Sequence, residues 1–90
     1  MNNEQSVEKY LCRKIKEHGG ICVKLTGYNG IPDRLIIMPN GKCYFVELKA
    51  EGGKLSPVQI AVHYKMQMLG HEVYVLWNHA EVNNWIKQHA

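Results

Sequence analysis

The chain has 90 residues, 46% hydrophobic and 21% charged, with 11 Lys and Arg against 8 Asp and Glu for a net charge of +3. That length suits one small folded domain spanning residues 1–90, and it excludes a large cofactor-binding fold; the composition excludes a disordered tail or a coiled coil. The mild positive balance permits a polyanionic partner without requiring one.

The first predicted element is a helix over Glu4 to His18, with Val7, Leu11 and Ile15 four apart on one face and Gly19-Gly20 to stop it. A strand over Ile21 to Thr26 follows and runs into the loop Gly27-Tyr28-Asn29-Gly30. Asp33 to Met38 reads as a second strand, Pro39-Asn40-Gly41-Lys42 as a tight turn, and Cys43 to Ala50 as the returning third strand. Glu51-Gly52-Gly53-Lys54 breaks the pattern. Ser56 then caps a helix with Pro57 at its first position and Gln59 closing a capping box. This helix is expected to reach Leu69 and end at Gly70, burying Val58, Val62 and Leu69 with Met66 close by. His71 to Trp77 is a fourth strand, and Asn78 with Glu81 caps a last helix whose apolar stripe is Val82, Trp85 and Ile86. The order α-β-β-β-α-β-α predicts a small α/β fold, a mixed sheet with flanking helices, in which the crossover helix sets the fourth strand parallel to the third.

Cys12, Cys22 and Cys43 are odd in number and not closely spaced, and each is expected to be a buried free thiol. No apolar stretch reaches the ~18 residues of a membrane span, and the polar start Met1 to Lys9 does not suit a signal peptide. These features predict a soluble cytoplasmic protein. The five histidines have no zinc-site spacing with the cysteines, and Trp77 and Trp85 read as core or interface anchors.

Chemistry concentrates between Gly30 and Gln59. Asp33 opens one strand of the hairpin; Glu47 and Lys49 sit two apart on the next, so they share a side of the sheet. Counted from the Asn40-Gly41 turn, Asp33 should face a residue near Leu48 or Lys49. Asp33, Glu47 and the backbone carbonyl of Leu48 are hard oxygen ligands suited to Mg²⁺ or Mn²⁺, and Lys49 could orient a water or stabilise a pentacovalent phosphate. That combination points to phosphodiester hydrolysis. Plainer roles exist for each residue: Asp33 as a turn carboxylate, Lys49 as an ion-pair partner, Gln59 as a capping residue. Glu47 is harder to explain away, because an acid inside Tyr44-Phe45-Val46 and Leu48 is costly without a partner. Lys24, Arg34, Lys42 and Lys54 are candidate phosphate contacts that could equally be solubilising charge.

Gly30-Ile31-Pro32-Asp33, then Glu47-Leu48-Lys49, then Lys54-Leu55-Ser56-Pro57-Val58-Gln59 resembles the virus-type replication-repair nuclease domain (VRR-NUC), a branch of the PD-(D/E)XK nucleases, over most of the chain. The resemblance implies a restriction-endonuclease-like fold, with Asp33 and Glu47 as metal ligands and Lys49 as the catalytic lysine. It also implies active-site roles for Gln59 and, in the first helix, Glu8. Arg34 stands where many relatives carry an apolar residue. Members of this size imply a homodimer that cleaves branched DNA, including four-way (Holliday) junctions, in a bacterial cell or in the cytoplasm of a virus-infected host. The apolar side of the last helix is the candidate dimer surface. The competing readings are a non-catalytic nucleic-acid-binding module and a protein-interaction domain built on the Trp85 helix.

Overall fold

The computed structural model describes residues 3–90, and its elements follow the expected order. Helix α1 (Glu4–Glu17) starts where the Asn3 side chain accepts the Ser6 amide at 2.7 Å, which satisfies one of the amides that a helix start leaves open. Strands β1 (Ile21–Lys24), β2 (Arg34–Ile37) and β3 (Cys43–Leu48) make an antiparallel meander. Helix α2 (Pro57–Met68) carries the chain across to β4 (Val73–Leu76), which pairs parallel with β3, and α3 (His79–His89) closes the chain. The sheet order is β1-β2-β3-β4. The strands are shorter than the sequence suggested, and Asp33 and Lys49 stand one residue outside β2 and β3.

Alternation along the strands separates two faces. On β3, Tyr44, Val46 and Leu48 turn one way, and the register carries Ile36 and Arg34 of β2 and Cys22 and Lys24 of β1 to that same side. Val7, Leu11 and Ile15 of α1 and Val82, Trp85 and Ile86 of α3 join Ile36, Tyr44, Val46 and Leu48 in the core. Phe45 and Glu47 turn the other way, toward α2.

Three expectations need correction. Helix α2 is not seated by Val58 and Leu69, which are 38% and 68% exposed; its buried residue is His63. A helix apolar on most sides cannot put all of its apolar residues against one thin sheet, and Ile60, Tyr64 and Met68, four apart, face solvent as well. The apolar stripe of α3, expected as the dimer surface, is buried in the core. Finally, Cys43 is exposed, and Cys12 and Cys22, apart in sequence, meet across α1 and β1 with sulfurs 2.7 Å apart. No helix among the described residues is long and apolar enough to cross a membrane.

Candidate active site

The β2–β3 register pairs Arg34 with Val46, and continuing it by one pair sets Asp33 across from Glu47, one residue short of the expected partner. The Leu48 amide donates to Asp33 Oδ2 at 3.0 Å, and the Leu25 amide donates to the Asp33 carbonyl at 2.9 Å. Asp33 is therefore held by its neighbours on both sides. Leu48, whose carbonyl is the third expected oxygen ligand, is thus directly attached to the acid pair through its own amide.

Glu47 is 1% exposed. Burial raises its pKa to about 7, the charge of Asp33 pushes in the same direction, and Lys49 opposes both. Its two oxygens differ. Oε2 accepts from Gln59 Nε2 at 3.2 Å and lies 3.7 Å from Lys49 Nζ. Oε1 is buried with no hydrogen-bond partner among the described residues and faces His63 Nε2 at 3.9 Å.

Gln59 fills both roles considered for it. Its Oε1 accepts the Ser56 amide at 2.9 Å and its own amide donates to Ser56 Oγ at 3.2 Å, which completes the capping box. The remaining amide nitrogen is aimed at Glu47, so the cap that starts α2 also orients the acid.

Among the other candidates, Lys54 is exposed in the loop between β3 and α2. Lys42 is exposed at the hairpin turn, about 16 Å along the strands from Asp33 at ~3.3 Å per residue. Arg34 was expected as a phosphate contact but is occupied internally: Nε donates to Glu8 Oε2 at 2.8 Å and a terminal nitrogen to the Cys22 carbonyl at 3.2 Å. Lys24 Nζ reaches the same Glu8 oxygen at 3.4 Å. Arg34 lies on the Val46 side of the sheet, so Glu8 is engaged on the face opposite Glu47. Of the α1 carboxylates, Glu4, one turn earlier, is the one whose charge acts on Glu47, as the weakest of the influences on it after burial, Asp33 and Lys49.

Sequence reasoning missed His63. His63 stands four residues after Gln59 and so on the same helical face, a signal that could have been read.

Among the described residues no group of three or more His, Cys, Asp or Glu is gathered to hold a metal ion. A small hard cation does not need such a cage, because Mg²⁺ keeps several waters and binds through one or two carboxylates. The donors fit that pattern: two adjacent carboxylates, one with an unpartnered oxygen, beside a strand-end carbonyl.

No protein-family model matches the chain. It is 47% identical over 75 residues to "Putative nuclease p44" of Acyrthosiphon pisum secondary endosymbiont phage 1, a match covering 81% of each chain. A solved structure described as "VRR_NUC domain" superposes over 100% of both chains with a TM-score of 0.90 at 32% identity. The chain belongs to the VRR-NUC family of PD-(D/E)XK-type nucleases. The α-β-β-β-α-β-α order and mixed sheet are those of that restriction-endonuclease-like fold.

Proposed function

We propose that this protein is a Mg²⁺- or Mn²⁺-dependent structure-specific DNA endonuclease acting on branched DNA such as four-way junctions. The observation that carries the reading is Glu47: a carboxylate 1% exposed, across from Asp33, with Gln59 and Lys49 on one oxygen and the other oxygen unpartnered. A buried acid with one unpartnered oxygen is a poor structural element, and its pairing with a second carboxylate is the arrangement that hydrolytic chemistry uses. Asp33, Glu47 and the Leu48 carbonyl are the residues assigned to hold the cation. When bound, it would acidify a water and offset charge on the phosphate.

The chain's own groups do the rest. Lys49, 15% exposed, brings an ammonium to the edge of the acid pair, where it can orient the attacking water and stabilise charge developing on phosphate oxygens. Gln59 fixes the rotamer of Glu47. Glu8, implied by resemblance, is joined to Arg34 in an ion pair on the other side of the sheet. Lys54 is the candidate phosphate contact nearest the site in the chain; Lys24, shared with Glu8, and Lys42, far along the hairpin, are peripheral ones.

The homodimer is assigned to α2 instead of α3. Ile60, Tyr64 and Met68 form an exposed apolar ridge, flanked by one groove lined by Tyr28, Ile31 and Leu69 and another lined by Leu55 and Val73. A ridge with a groove beside it suits a two-fold contact, in which each copy supplies both. The ridge lies on the same helix as Gln59, so pairing would bring two sites onto one symmetric substrate. Light scattering should give a dimer that Tyr64→Glu converts to monomer; a monomeric parent protein at micromolar concentration overturns this assignment.

The deciding experiment is cleavage of labelled four-way junction, flap, nicked and linear DNA with Mg²⁺, Mn²⁺ or EDTA, beside Glu47→Gln. Metal-dependent cutting that prefers branched DNA and is lost in the variant is expected. Salt-sensitive binding with no cutting under any metal would make the protein a non-catalytic nucleic-acid-binding module.

A further inference from the structure

Cys12 and Cys22 belong to different elements, yet their sulfurs lie 2.7 Å from one another, about 0.7 Å beyond the ~2.05 Å of a disulfide bond. The way α1 lies on β1 explains this. Glu8 and Cys12 are one turn apart on α1 and share a stripe, separated by about 6 Å at ~1.5 Å per residue. Lys24 and Cys22 are two apart on β1, on the side facing α1, and so are separated by about 6.6 Å at ~3.3 Å per residue. The two spacings match. Because the chain reverses between helix and strand, the stripe and the strand meet twice: Lys24 Nζ reaches Glu8 Oε2 at 3.4 Å, and Cys22 reaches Cys12.

The reversal that sets this register is tightly packed. The Gly20 amide donates to the Ile15 carbonyl at 2.9 Å, and a Cβ on Gly20 would come within 2.8 Å of the Ile37 carbonyl oxygen and 2.9 Å of Ile15 Cγ2. Such a turn leaves α1 no room to slide along β1. Both thiols are only half-buried, so a small reagent can reach them. Arg34, which donates to the Cys22 carbonyl, and Lys24 bring positive charge beside the pair. Cys12 is the thiol that ionises more readily. The hydrogen bond with Cys22 lowers its pKa, against burial and the charge of Glu8, and Arg34 and Lys24 add to the lowering, whereas the same bond and burial raise that of Cys22.

We propose that Cys12 and Cys22 are a redox-active dithiol, which hydrogen peroxide closes to a disulfide tying α1 to β1 and a reducing dithiol reopens. In the first step the Cys12 thiolate attacks one peroxide oxygen and the O–O bond breaks. The sulfur becomes a sulfenic acid, and the departing hydroxide takes up the proton that Cys12 released and leaves as water. The Cys22 sulfur then attacks the Cys12 sulfur, the S–O bond breaks, and the hydroxide leaves with the Cys22 proton as a second water. The two thiols lose two electrons and the peroxide gains them. A closed loop between these residues restricts the unfolded chain, so oxidation stabilises the fold. The proposal is independent of the nuclease reading, because the pair lies on the side of the sheet opposite Glu47.

The test takes the parent protein, fully reduced, and titrates it with hydrogen peroxide in native buffer and in urea. Peptide mapping of the native sample by mass spectrometry should find Cys12 joined to Cys22 before any oxygen adduct appears on Cys43, the exposed thiol, and a dithiol should release the link. The linked form should melt roughly 10 °C above the reduced one. Cys22→Ser, or Cys22→Ala if the serine does not fold, should stop at the sulfenic acid, which dimedone traps on Cys12. Oxidation of Cys43 first, links only between copies, or a Cys12–Cys22 link that forms only in urea would overturn the proposal. So would a linked form that melts no higher than the reduced one.

Discussion

The sheet face under α1 and α3 and the face under α2 are built from alternate residues of the same four strands, yet they treat polarity in opposite ways. Under α1 and α3 the residues are apolar and closed: Val7, Leu11, Ile15, Ile36, Val46, Leu48 and Val82 are all at 0% exposure. Its one charged cluster, Glu8 with Arg34 and Lys24, sits toward the edge and satisfies itself. Under α2 the deepest residue is a carboxylate, its neighbours are Asp33, Lys49, Gln59 and a buried histidine, and Glu47 Oε1 and His63 Nε2 have no hydrogen-bond partner among the described residues, against Trp85 Nε1 on the other face. The first face supplies stability; the second spends some of that stability on groups held where water would otherwise satisfy them.

The sharpest way to break this contrast is Glu47→Gln. It keeps shape and the bond to Gln59 while removing the buried charge. Cleavage should fall on the order of 10³-fold or more, as expected when an electrostatic element of a hydrolytic site is lost. Stability in EDTA, read by urea unfolding at pH 8, should hold or rise. A variant that lost both activity and stability would mean that Glu47 is a structural acid.

The reciprocal change is Leu11→Ala on the other face. Deleting a fully buried leucine should cost about 2–5 kcal/mol, a large share of what a small domain has. The protein that remains folded should cleave with unchanged kcat, measured well below its melting temperature. If kcat fell with stability, the two faces would not be separable.

Titration gives a smaller effect of known sign. Folding raises the Glu47 pKa from 4.5 to about 7, chiefly by burial and then by the charge of Asp33. The folded state thus holds a proton that the unfolded state releases. Its stabilising contribution is complete below about pH 4.5 and is lost as pH rises toward 7, by about 3 kcal/mol at most. Urea midpoints in EDTA between pH 5 and pH 8 should fall for the parent protein more than for Glu47→Gln. Parallel curves would remove the claim that burial strains this acid.

This division also explains which parts were legible in the sequence. Val7, Leu11 and Ile15 announce their helix and its buried side because core packing writes itself as periodicity. Ser56-Pro57-Val58-Gln59 announces a helix start by local chemistry, and Glu47 stands out against an apolar strand. The surroundings of Glu47 were less readable. Val58 and Leu69 have the hydrophobicity of core residues and lie outside, because periodicity cannot tell how much sheet a helix will find beneath it. Cys12 and Cys22 meet only through the packing of α1 on β1. Glu4 and Glu8 lie one turn apart on one stripe, and nothing local says which of them reaches the site.

That last pair gives the finest comparison, since Glu8 is bonded within one face while Glu4 touches the other only through a weak effect of its charge on Glu47. Glu8 and Arg34 are 17% and 18% exposed and joined at 2.8 Å, so Glu8→Gln leaves a largely buried guanidinium with a weaker acceptor. A charge-assisted bond at this depth suggests a loss of about 1–2 kcal/mol. Cleavage should be nearly unchanged once the variant is compared at equal folded fraction. Glu4→Gln should behave oppositely: exposed and in the first turn, it should cost only a few tenths of a kcal/mol through the helix dipole while altering Mn²⁺ affinity, because its charge reaches Glu47. Calorimetric Mn²⁺ titration and thermal melts of the two variants side by side decide the matter. If Glu8→Gln loses metal affinity and Glu4→Gln does not, the resemblance-based assignment of Glu8 to the site is right, and the partition of α1 between the two faces is wrong.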